Sequence, residues 1–455
     1  MEIRATGAAY LFESLFYSAA AAGRTALIVL LSIMASLLIK SVYDMWRDGD
    51  KPKEWIRSYT TKASLIDLDG GLYPLHGRHS GNFNAATVAP ELRGTYNVSQ
   101  KAMDSFQKSI PGSFGSREVL RTIREQCEGY LRRVVLDGRS QEFGIEIFSG
   151  TSRALEVALE RAGKASFIIV SPFEHPAERA VVEWCAPIIG SGVWYMDVME
   201  SIVDQPWQKS RERFVSEMRE QIVQALSKKS MPLLLISEVW WANGLLIPLA
   251  EIVQPLREEF GSALRIVVDG AHVPGNLSGP EGISVADAYV MSAHKWLLSS
   301  EPCGILLSKS SHIERQPYDA WLEELPVSTV SFRSIASLRG ALVQLESVQL
   351  SYLRRRSESL KNFFLARLGD RFKVVGRESG LPSSLMVAIE PALGLRWQFD
   401  RVGLERYFAD RGVSVAVVPF VRGRVWVRIA FPYFLEAGDV INLCRTLRGA
   451  VTFSG

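Results

Sequence analysis

Between Ile145 and Leu307 one pattern recurs: a run of three or four apolar residues followed, in most cases, by a stretch with helical spacing. The runs are Ile145 to Phe148, Phe167 to Val170, Val193 to Met196, Leu233 to Ile236, Ile266 to Val268, Ala288 to Met291 and Ile305 to Leu307. Most are separated by helical segments such as Ser152 to Ala162, a helix from Pro176, Arg211 to Leu226, and Leu249 to Phe260. Short strands that are apolar throughout have both faces buried, and strands alternating with helices bury them by laying helices on each side. The pattern predicts an α/β fold with a mainly parallel, seven-stranded sheet.

Beyond about Pro326 the texture changes. A helical stretch runs from Ile335 to Leu368 and carries Arg354, Arg355 and Arg356, which read as a solvated face. The runs Leu385 to Ile389, Val413 to Val418 and Val425 to Ile429 then alternate with helices at Gln398 to Arg411 and Ala437 to Gly449, which predicts a small α+β domain. Upstream, Lys51 to Ser116 reads as irregular, rich in Gly and polar residues, with helical periodicity setting in near Val119. A chain of 455 residues exceeds a single hydrophobic core. The expected division is 1–50, 51–325 and 326–455.

The segment Thr25 to Ile39 is uncharged and bounded by Arg24 and Lys40. It is shorter than the roughly 20 residues that cross a bilayer, so it reads either as a membrane anchor or as a hydrophobic helical arm packed on the protein. Lys40, Arg47, Lys51, Lys53 and Arg57 follow it, which would leave the C-terminal portion in the cytoplasm. Glu2 and the late start of the run argue against a cleaved signal peptide.

With 47% hydrophobic and 22% charged residues the composition is globular, and a net charge of +3 with interspersed signs is too small to argue for nucleic acid, so no nucleic-acid partner is expected. Cys127, Cys185, Cys303 and Cys444 have neither C-x-x-C nor ligand-like spacing, so no metal site or disulfide framework is expected.

The chemistry concentrates in RIVVDGAHVPGNLSGPEGISVADAYVMSAHKW, Arg265 to Trp296. Asp269 ends an apolar strand, where a carboxylate is costly without a cationic partner. Lys295 follows the next strand, where partial burial would lower its pKa and make it a Schiff-base nucleophile. Such a lysine paired with such a carboxylate suits pyridoxal 5'-phosphate (PLP): the lysine joins the aldehyde and the carboxylate keeps the pyridine nitrogen protonated.

Three further places fit that reading. Gly150, Thr151 and Ser152 lie between strand and helix, where amides, hydroxyls and a helix N-terminus can take a phosphate, although Ser and Thr there also serve as ordinary caps. His175, at the C-terminal end of a strand, can stack on a pyridine ring or be a plain loop histidine. Ser292 and His294 can touch the phosphate. Trp240 and Trp241 read either as a pocket wall or as core.

These residues resemble the class V branch of fold-type I PLP enzymes, the aminotransferase and cysteine desulfurase-like group. The resemblance rests on DGAH, ADAYVMSAHKW and CGILL, with SGTSRALEVAL, FEHPA and ISEVWWANGLLIPLAEI upstream. It covers roughly Phe143 to Leu307 and fades beyond. It implies Lys295 as the cofactor lysine, Asp269 on the ring nitrogen, His175 on the ring, and Thr151, Ser152, Ser292 and His294 on the phosphate. It also places His272 beside the cofactor and makes Thr329 a contact to the neighbouring subunit's phosphate, hence a homodimer. It further implies that Arg428 grips the substrate carboxylate, with Arg422 and Arg424 as neighbours that compete for the role.

Where relatives hold a polar group near the cofactor's phenolic oxygen, this chain has Trp240 and Trp241, with Asn243 beyond. Cysteine desulfurases need a mobile thiol, which neither Cys303 in a strand nor Cys444 in a helix resembles. The expected function is a PLP-dependent transferase, an aminotransferase taking an amino acid or amine and a keto acid. The alternatives are a lyase or epimerase of the same fold and, in another class, a membrane-tethered non-catalytic binding protein.

Overall fold

A computed structural model describes residues 81–87, 90, 93–108, 114–136, 142–162, 166–197, 201–309, 330–420 and 423–453. The expected N-terminal arm or anchor, Thr329 and Arg422 lie outside these residues. No helix among the described residues is long and apolar enough to cross a membrane. The described residues pack as one compact unit.

Two helices, α1 (Arg93–Gln107) and α2 (Phe114–Tyr130), precede the large sheet. The sheet's strands are β1 (Phe143–Phe148), β2 (Ser166–Val170), β3 (Gly192–Tyr195), β4 (Met231–Ser237), β5 (Arg265–Asp269), β6 (Ala288–Ser292) and β7 (Gly304–Lys309). Interleaved with them are α3 (Thr151–Ala162), α4 (Pro176–Ile189), α5 (Trp207–Ser227) and α6 (Leu249–Phe260). The spatial order is β1-β7-β6-β5-β4-β2-β3; the joins from β6 to β3 are parallel, and β7 runs antiparallel to both its neighbours. Each of the seven apolar runs between Ile145 and Leu307 therefore contributes a strand to this sheet.

Alternation of side chains across each strand feeds two cores. Ile169, Leu234, Ile236, Ile266 and Val268 face a core with Phe214, Met218 and Ile222 of α5 and Ile252, Val253 and Leu256 of α6. Ile168, Val170, Leu233, Leu235 and Val267 face another, with Leu155 and Leu159 of α3 and Val182, Cys185 and Ile189 of α4. Burial on both faces is what the parallel sheet requires.

After the sheet come α7 (Phe332–Val348), α8 (Leu350–Leu365) and β8 (Phe372–Val374), then β9 (Met386–Pro391), β10 (Leu395–Trp397), α9 (Arg401–Ala409), β11 (Ala416–Pro419), β12 (Val425–Ala430), α10 (Ala437–Arg448) and β13 (Val451–Phe453). An antiparallel sheet of order β11-β12-β9-β8 packs over Phe364, Leu404, Phe408, Val440, Leu443 and Leu447, the expected small α+β arrangement.

Three expectations are corrected. The single helix from Ile335 to Leu368 is two, broken at Gln349, whose φ of 65° is left-handed. α7 packs Ile335, Leu338, Leu342 and Leu345 on the large sheet's core, while Leu360 and Phe364 of α8 serve the second core. One straight apolar stripe cannot face both, and the left-handed corner costs about 1–2 kcal/mol that this burial offsets.

Within the supposedly irregular stretch, α1 forms despite weak helix formers such as Gly94, Thr95 and Asn97. A Cβ at Gly340 of α7 would meet the Thr95 carbonyl of α1 at 2.7 Å, whereas one at Gly94 would meet only the movable end of the Gln344 side chain. Close packing on α7 at Gly340, rather than propensity, holds α1. Finally, the Arg354–Arg356 cluster is not wholly solvated, because Arg356 donates to the carbonyls of Tyr433 (2.6 Å) and Leu435 (3.1 Å).

Candidate active site

The C-terminal ends of β1, β2, β4, β5 and β6 all open on one side of the sheet, where ligands gather in open α/β folds. They surround a cavity of about 1270 Å³. Gly150, Thr151 and Ser152 enter it after β1, His175 and Glu178 after β2, Trp241 after β4, His272 after β5, and His294 and Lys295 after β6. Arg428 reaches it from the middle of β12 in the second sheet. The predicted residues are thus brought together, save that Asp269 and Ser292 are buried behind the lining and Thr329 lies outside the described residues.

Lys295 is held with its Nζ 3.2 Å from His272 Nε2. Burial pushes its amine below the ordinary value, with the Glu178 and Asp269 carboxylates pulling the other way. His272 is driven well down by burial and then by the Lys295 charge, and its Nδ1 is buried without a hydrogen-bond partner. Burial likewise lowers His294 to about 4. Both imidazoles are therefore neutral at pH 7, and among the described residues the cation that acts on the Lys295 amine is Arg428, whose charge adds to the lowering by burial.

Thr151 begins α3, and its Oγ1 is buried without a partner. An unpaired hydroxyl at a helix N-terminus is a ready site for an anion. Ser292, fully buried at the end of β6, places its Oγ 3.1 Å from His294 Nδ1 and so holds that ring. Asp269 Oδ1 accepts from the Ala271 amide at 2.8 Å, while Oδ2 lies 3.5 Å from Ser237 Oγ. Burial, then Glu178, raises its carboxyl to about 6, and Lys295 opposes that rise.

His175 is the N-cap of α4, with Pro176 next: Nδ1 accepts from the Ala177 amide at 3.1 Å and lies 3.3 Å from Glu178 Oε2. Its ring meets Trp241 edge-on at 4.7 Å between centroids. Trp241 donates from Nε1 to the Glu174 carbonyl, whereas Trp240 is core, packed against Phe173, Phe420 and Trp426. Asn243 turns away from the cavity; its Oδ1 accepts from the Leu245 amide.

Arg428 is 5% exposed and donates to the Trp241 carbonyl (2.8 Å), Thr87 Oγ1 (2.8 Å) and Asn84 Oδ1 (3.3 Å). Among the described residues no carboxylate pairs with it, and burial lowers it to about 10. Arg424 is committed elsewhere, to Glu390 and Asp204. A buried guanidinium held only by neutral oxygens retains capacity for a carboxylate ligand.

Two residues were missed by sequence reasoning. Glu174 is buried, its Oε1 accepting from Ser171 Oγ (2.7 Å) and its Oε2 lying 2.9 Å from Ser237 Oγ, and burial followed by the Asp269 charge raises it well above the ordinary range. Glu178 lines the cavity with its Oε2 buried. The only signal for Glu178 was its place three residues after the N-cap; Glu174 had none. All four cysteines are buried and none lines the cavity; burial pushes Cys303 up to about 12.

No protein-family model and no curated protein sequence matches the chain. Solved structures do share its fold. A lysine-to-alanine mutant of C-DES, with glycine covalently linked to its PLP cofactor, is 16% identical, covers 82% of this chain and 97% of its own, and has a TM-score of 0.66. The cystine C-S lyase C-DES with its product cysteine persulfide is 17% identical over 83% and 98%, at 0.64. The cysteine desulfurase CsdA of Escherichia coli is 16% identical over 82% and 94%, at 0.60. The architecture is that of fold-type I PLP enzymes.

Proposed function

We propose that this chain is a PLP-dependent enzyme acting on the amino group of a carboxylate-bearing amine, with Lys295 as the residue that carries the cofactor. The observation that supports it most is the placement of one desolvated amine among five converging strand ends, with a hydroxyl at a helix N-terminus on one wall that lacks a partner and a guanidinium on another that lacks a carboxylate, both among the described residues. PLP fits those residues. Its phosphate would take the orphaned Thr151 Oγ1 with Gly150, Ser152 and His294; its ring would lie under His175; its ring nitrogen would face Asp269.

Bound PLP supplies an electron sink for the bond broken at the substrate's α-carbon. The rest falls to side chains. Arg428 orients the substrate through its carboxylate, so that the reacting bond is fixed before chemistry begins. Lys295, with an amine that burial renders easily deprotonated, takes and returns the α-proton. His272, neutral and 3.2 Å from Nζ, holds that amine in place without adding charge. Asp269, ionised near neutral pH, provides the anion that keeps the ring nitrogen protonated.

We assign transamination, with a keto acid as second substrate, as the reaction. A lyase reaction is the second reading, favoured by the likeness to a C-S lyase. Four buried thiols disfavour a persulfide carrier and hence sulfur transfer. We also assign 51–325 to the cofactor-binding domain and 326–455 to the small domain, place Thr329 on the neighbouring subunit's phosphate, and so take the active unit as a dimer. Residues 25–39 are assigned either to a membrane anchor, with the enzyme on the cytoplasmic side, or to an arm packed on the protein. Fractionation of cells expressing the chain with and without residues 1–44 tests the anchor, and an unchanged distribution contradicts it.

The reaction is tested by incubating PLP-loaded protein with amino acids, with and without a keto acid, and analysing products by mass spectrometry. Transamination consumes the keto acid. Ammonia and fragment release without any keto acid identifies the lyase, and intact substrate under every condition contradicts both.

A further inference from the structure

Behind the cavity, three strand ends bring two carboxyl groups to a single hydroxyl. Ser171 Oγ donates to Glu174 Oε1 at 2.7 Å, and Ser237 Oγ lies 2.9 Å from Glu174 Oε2 and 3.5 Å from Asp269 Oδ2. Glu174 and Ser237 are each about 2% exposed. Among the described residues no cation pairs with Glu174. The groups that face it are Ser171 at the end of β2, Ser237 at the end of β4, Asp269 at the end of β5 and Glu178 of α4, with Lys295 beyond Asp269.

A hydroxyl has one hydrogen, and here two carboxyl oxygens compete for it. If both acids were ionised, Ser237 would serve the nearer Glu174 and leave Asp269 Oδ2 without a donor, next to a second buried anion. One proton resolves this. Carried on Glu174 Oε2, it is donated to Ser237 Oγ, and the Ser237 hydrogen is released toward Asp269 Oδ2.

We propose that Glu174 is a carboxylic acid in the working protein and a positioning residue for Asp269, acting through Ser237 to orient the Asp269 carboxylate. The direction of the relay is set by chemistry: Glu174 has only neutral hydroxyl partners, whereas Asp269 has an amide donor and the nearby Lys295 charge to favour its anion. The functional role rests on the reading of Asp269 as the partner of the PLP ring nitrogen. The protonation state does not.

The test begins on cofactor-free protein, at a pH well above 7, where Asp269 and the other buried acid, Glu238 just after β4, are both ionised. Infrared difference spectra between light and heavy water should show a protonated-carboxyl C=O stretch that is lost in Glu174→Gln and displaced in Ser237→Ala. Absence of that band in the wild type, or its persistence unchanged in both variants, overturns the proposal. Glutamine mimics the acid form, donating to Ser237 and accepting from Ser171, so Glu174→Gln should keep the PLP dissociation constant within about twofold. Ser237→Ala should weaken it roughly tenfold, the scale of one hydrogen bond to a charged group. Equal weakening in both variants contradicts the relay. If the wild type shows the band yet binds no PLP, the PLP reading fails and the protonated Glu174 stands.

Discussion

Arg428 is the residue whose role is most open to direct test. Its guanidinium is held by three oxygens and paired with no carboxylate among the described residues, so its remaining capacity is assigned to substrate. Arg428→Ala should raise KM for a carboxylate-bearing amine by roughly 10- to 100-fold, the loss of one charge-assisted pair, and leave an amine lacking the carboxylate little changed. Arg428→Lys should not rescue it, since an ammonium lacks the fork. Equal effects on both substrates would contradict a carboxylate contact. The residues that carry the proposed chemistry were legible one by one: Gly150 to Ser152, His175, His272, His294, Lys295 and Arg428 line a single space. Glu174 was not, because an acid between a strand and a helix reads as a surface or capping group until the strand ends fold it inward.

At the scale of elements, the strands were legible because burial on both faces leaves an apolar run with no alternation to misread. The break between α7 and α8 was not, since Gln349 carries no turn signal and only the two separate cores demand it. α1 was missed for the opposite reason: its helix is made by a glycine-lined contact with α7. The elements around Asp269 are tied by another buried acid. Glu238, just after β4, accepts from Tyr289 of β6 (2.5 Å) and from the Glu281 amide (2.9 Å), and burial raises it from 4.5 to about 7.

Between those pH values the folded protein holds a proton that the unfolded chain has lost. This group's contribution to stability is therefore full below about 4.5 and is lost as pH rises to about 7, a change on the order of 3 kcal/mol. Glu238→Gln removes that dependence. The wild type should accordingly lose ground to Glu238→Gln in urea midpoints on going from acidic to neutral pH; parallel pH profiles for the two proteins would contradict a buried acid at this position.

For the whole molecule, the seven-stranded and the four-stranded sheet contribute to one cavity: strand ends of the first bring Lys295 and the orphaned Thr151 hydroxyl, and β12 of the second brings Arg428. With the cofactor assigned to one wall and the substrate to the other, Lys295 is the centre of the proposed enzyme. The most direct measurement is the visible absorbance of purified protein titrated with PLP, before and after borohydride reduction. The wild type should develop the band of a lysine-bound cofactor, and reduction should fix PLP to the peptide containing Lys295. Lys295→Ala should show neither. A wild type that stays colourless, or a Lys295→Ala variant that gains the same band and the same covalent label, would contradict the assignment.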